Sequence, residues 1–91
     1  MLEYEIEPIE WKASARNCYR LRIADMLTLW VMYVVQRDGT QFWRWTAYTI
    51  NAHVGQGEPY ATVEIAQHHA LMFAGMYLQT ALQLLPQYQE Q

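Results

Sequence analysis

The first residues of the chain alternate strictly. Leu2, Tyr4 and Ile6 fall to one side and Glu3, Glu5 and Glu7 to the other, the period of a half-buried strand within residues 2–7. Pro8 stops pairing or marks a sheet edge. A second alternating piece, within 10–16, sets Trp11, Ala13 and Ala15 against Lys12, Ser14 and Arg16. Arg16-Asn17-Cys18 can turn the chain into a strand within 18–24, where Tyr19, Leu21 and Ile23 alternate with Arg20 and Arg22. Glu5 near Arg22 and Glu7 near Arg20 would then pair across the strands.

Two longer β-rich runs, 26–36 and 41–53, flank Arg37-Asp38-Gly39-Thr40, and Asp-Gly is a favoured two-residue hairpin turn. With Asp38 and Gly39 as the loop, counting outward sets Val35 opposite Phe42, Tyr33 opposite Arg44, Val31 opposite Thr46 and Leu29 opposite Tyr48. The other face then carries Met26, Trp30, Met32 and Val34 together with Trp43 and Trp45. Gly55-Gln56-Gly57-Glu58-Pro59 reads as a loop. Thr62 suits an N-cap, Glu64 suits the first turn, and helical spacing runs from about 63 to 85, where Pro86 closes it. Ala66, Ala70, Phe73, Ala74, Tyr77, Ala81 and Leu84 form its packing stripe. The pattern predicts a single α+β domain over 1–91: an antiparallel sheet of about four strands, in meander order, packed by one long C-terminal helix.

One helix covers one sheet face, and this hairpin presents two apolar ones. Hydrophobic residues are 53% of the chain and charged residues 16%, against about 25% in ordinary domains. Three tryptophans at about 150–250 Å² each amount to about 450–750 Å², against about 300–600 Å² for the largest apolar patch of a typical monomer. Leaving that face wet would forgo on the order of 10 kcal/mol, comparable to the stability of a whole domain. The helix is also apolar around much of its circumference. A second copy is the simplest cover, so a homo-oligomer, in the first instance a dimer, is expected. Its interface would draw on Trp30, Met32, Trp43 and Trp45 of the sheet and on Leu71, Met72 and Leu82 of the helix. On that register, Trp45→Glu should yield monomer or aggregate. The intramolecular alternative has the N-terminal strands folding over one face.

The charges and reactive residues add little chemistry. Six Lys and Arg against nine Asp and Glu give a net charge of −3, which creates no field for nucleic acid or an anionic membrane. Trp43-Arg44-Trp45 has the aromatic-and-basic character of single-strand platforms, but Arg44 points away from both indoles. Nucleic acid is therefore not the expected partner; an unidentified protein partner is compatible with the pattern. His68 and His69 are adjacent rather than four apart, so they do not form a zinc-chelating helix pair, and His53 is distant in sequence. No metal, cofactor or catalytic residue is expected, and the chain reads as non-enzymatic. The lone Cys18 suits a reducing cytoplasm. The acidic N-terminus is unlike a signal peptide, and the longest apolar run is too short to span a bilayer.

The order Trp11-x-Ala13, Tyr19-x-Leu21-x-Ile23, a Trp-bearing hairpin and a late Thr62-x-Glu64-x-Ala66 helix resembles small uncharacterised phage- and prophage-type proteins. The resemblance implies an antiparallel sheet followed by one helix, with no common activity attached. The segment from Gly57 to Ala66 is also similar to HicB-like antitoxin domains, whose strands pass through a Gly-rich loop into a helix opening with Thr and acidic residues. A proline-rich strand end and a DNA-binding region are absent from this sequence. That similarity implies a dimeric, nucleic-acid-linked regulator as the alternative function.

Overall fold

The computed structural model describes residues 9–89, with side chains through residue 84. Five strands run in simple meander order, β1 (Lys12–Ala15), β2 (Cys18–Ile23), β3 (Leu27–Val35), β4 (Gln41–Tyr48) and β5 (His53–Gln56), all neighbours antiparallel. One helix, α1 (Val63–Gln89), follows and packs on β3 and β4. The α+β class with an antiparallel sheet holds, with five strands rather than about four. The strand expected within residues 2–7, and its cross-strand pairs to Arg20 and Arg22, lie outside the described residues.

The extra strand comes from dividing the run 41–53. β4 stops at Tyr48, a turn closed by the Thr49 N–H to the Ala52 carbonyl (2.8 Å) follows, and β5 returns along β4. The glycine-rich stretch read as loop is thus partly strand. Gly57 N–H donates to the Trp45 carbonyl (2.9 Å), and Tyr60 exchanges both backbone bonds with Trp43 (2.8 Å each). Gly55 in β5 and Gly57 just after it are needed because side chains from the core occupy the space where a Cβ would stand.

The β3–β4 hairpin also departs from the expected register. Val35 faces Gln41 and Val31 faces Trp45, one residue from the expected partners. The loop has three residues, not two. Gln36 N–H donates to the Thr40 carbonyl (2.9 Å), Gly39 N–H donates to the Gln36 carbonyl (3.0 Å), and Gly39 sits at φ 88°. This is a type I turn completed by a left-handed glycine, the usual form of a three-residue hairpin loop. Asp38 takes part by accepting the Thr40 N–H (2.9 Å), a bond that lowers its pKa below the ordinary 3.8.

A one-residue slip turns every β4 side chain to the opposite face relative to β3. Trp43, Trp45 and Ala47 therefore share a face with Leu29 and Val31, joined by Leu21 and Leu27. α1 covers this face, laying the fully buried Ala66, Ala70 and Ala74 against it. Alanines there remove side-chain thickness, so helix and sheet backbones approach closely. The outer face carries Arg20, Trp30, Met32, Val34, Phe42, Arg44 and Thr46. The expectation of three tryptophans on one face is corrected accordingly.

α1 begins as its sequence indicates: Thr62 Oγ1 accepts the Ile65 N–H (3.2 Å) and Glu64 lies in the first turn. Thr62→Ala should cost about 1 kcal/mol, measurable as a lower urea midpoint with an unchanged slope. The helix ends differently. It continues through Pro86 to Gln89 instead of stopping there, although a proline at that position removes a backbone donor and crowds the carbonyl four residues back. At about 1.5 Å per residue it is roughly 40 Å long. Among the described residues, Tyr77 is its last side chain packed on the core. Ala81 and Leu84 continue the stripe without joining that core. The radius of gyration, 15.7 Å, exceeds the roughly 12 Å expected for a compact chain of this length.

Candidate interaction surface

The aromatic side chains on the helix side are largely engaged with one another. Trp43 lies between Tyr19 (6.2 Å between ring centroids) and Tyr33 (5.1 Å), with the Tyr33 hydroxyl donating to the Gln41 side-chain carbonyl. Trp45, only 6% exposed, packs on Phe73 (5.0 Å), which in turn stacks on Tyr77 (5.8 Å). The Trp45 indole N–H reaches the Tyr60 hydroxyl at 3.4 Å, and Tyr60 stacks on His69 at 4.7 Å. A Cβ on Gly57 would stand 1.9 Å from Trp45 Nε1, and one on Gly55 would stand 2.6 Å from Phe73 Cζ. These glycines let the Phe73 ring approach the backbone of β5 and the Trp45 ring the backbone just after it. Trp43 and Trp45, expected at an interface, thus serve the chain's own interior.

Trp30 and Met32 do lie on the outer sheet face, half-buried. Arg20 places its guanidinium 5.9 Å from the Trp30 ring, and Arg44 lies 5.4 Å from the ring of Phe42, which is itself 6% exposed. Stacked guanidinium groups cover aromatic surface while keeping a charge in place. Arg44 Nε and Thr46 Oγ1 are buried here with no hydrogen-bond partner among the described residues. Lys12 stands opposite Arg20, and Arg22 bonds Asp25 at 2.8 Å. Four of the chain's six basic residues therefore belong to this one face.

Among the described residues, six of the eleven exposed large hydrophobic side chains are on α1. Leu71, Met72 and Leu82, read from the sequence as interface residues, are exposed, and so are Ile65, Met76 and Leu84, with fractions from 42% to 68%. Met76 and Leu84 are not among the interface residues that the sequence singles out. Their signal is the spacing of Phe73, Met76, Tyr77, Thr80, Ala81 and Leu84, at i, i+3, i+4, i+7, i+8 and i+11. Those side chains line an open groove of about 360 Å³, two of them, Phe73 and Tyr77, also packing on the sheet core. From Ile65 to Gln89 the helix has no Asp, Glu, Lys or Arg.

The histidines do not converge. His68 meets His69 edge-on at 5.8 Å, while His53 packs against Tyr48 at 5.0 Å. Among the described residues, no three of His, Cys, Asp and Glu form a group able to hold a metal ion. No helix of the described residues is long and apolar enough to cross a membrane. Comparison with protein-family models, curated proteins and solved structures finds no match to this chain.

Proposed function

We propose that this chain is a non-catalytic, self-associating protein-interaction module, in keeping with the sheet-then-helix resemblance to phage- and prophage-type proteins. The observation that supports it is the exposed apolar surface of α1, which carries no Asp, Glu, Lys or Arg from Ile65 onward. A solvated helix of this length normally carries a charged face, whereas charges are depleted at the cores of protein interfaces. The six exposed large side chains amount to about three fully exposed ones. They project from more than one side of α1, and each is worth about 1.5–3 kcal/mol when fully buried, before the cost of association. Light-scattering mass over a dilution series tests this reading. Mass rising from one chain to two with concentration supports it; a single-chain mass throughout rejects it.

A second reading, a dimeric nucleic-acid-binding or antitoxin-like regulator, is favoured by the outer sheet face, where Arg20, Arg22 and Arg44 share a surface with Trp30. Its rings are already engaged by Arg20 and Arg44, which weakens it as a base-stacking platform. Quenching of tryptophan fluorescence by a single-stranded oligonucleotide, lost as salt rises, would support this reading; no salt-sensitive quenching removes it.

A further inference from the structure

We draw no further inference here: the strongest candidate, the open apolar groove along α1 between Phe73 and Leu84, carries nothing, because nothing in the structure shows what covers it.

Discussion

Gly57→Ala should destabilise the protein by about 3 kcal/mol or more, the upper end of what overpacking a core costs. The new methyl would lie 1.9 Å from Trp45 Nε1 and 2.3 Å from Cδ1, far inside any contact distance. Neither partner can yield easily. The indole is held by Phe73 and by the Tyr60 hydroxyl, and the Gly57 amide is bonded to the Trp45 carbonyl (2.9 Å). Against a domain stability of about 5–15 kcal/mol, such a loss would show as a large fall in urea midpoint. Gly75→Ala is the matching control. A Cβ there meets nothing within 4 Å, so removing a helical glycine should gain about 0.5–1 kcal/mol. Equal stability of Gly57→Ala and wild type would mean that the indole does not lie on the backbone just after β5.

Trp45→Glu should leave the chain unfolded at every concentration. Truncating a buried tryptophan costs about 3–5 kcal/mol, and Glu adds a carboxylate among Leu29, Val31, Ala47, Ala66 and Ala70. Trp30→Glu, on the outer face, should retain native far-ultraviolet circular dichroism. The two-residue hairpin register expects a different result for Trp45→Glu, a folded monomer or an aggregate. A folded, monomeric Trp45→Glu protein would therefore restore that register and the sheet-mediated interface that follows from it.

The difference between the two outcomes turns on a single loop residue, and it shows where sequence patterns lose resolution. Local chemistry is legible: Thr62 caps α1, Glu64 occupies its first turn, and Ala66, Ala70 and Ala74 face the sheet as their spacing requires. Asp38-Gly39 marks the hairpin correctly, but the same pair serves both two-residue and three-residue loops. β3 is apolar on both faces, so its alternation does not fix which face Trp43, Trp45 and Ala47 of β4 join, and the choice falls to the closing bond between Gln36 and Thr40. β5 is hidden because glycine usually weakens a strand, whereas here it clears space for Phe73 and Trp45. Of the candidate interface, Leu71, Met72 and Leu82 are legible as polar-face interruptions on a helix. Met76 and Leu84 require knowing where the sheet ends, a distance set by tertiary packing.

Among the described residues, α1 beyond Tyr77 contributes no side chain to the core, and the proposed self-association would cover it. Amide hydrogen exchange at residues 78–84, followed across a dilution series, tests this most directly. Exchange there should be much faster than at residues 66–74 in dilute solution, and should slow as concentration rises while the sheet amides stay unchanged. Protection of residues 78–84 equal to that of residues 66–74, and independent of concentration, would contradict the account.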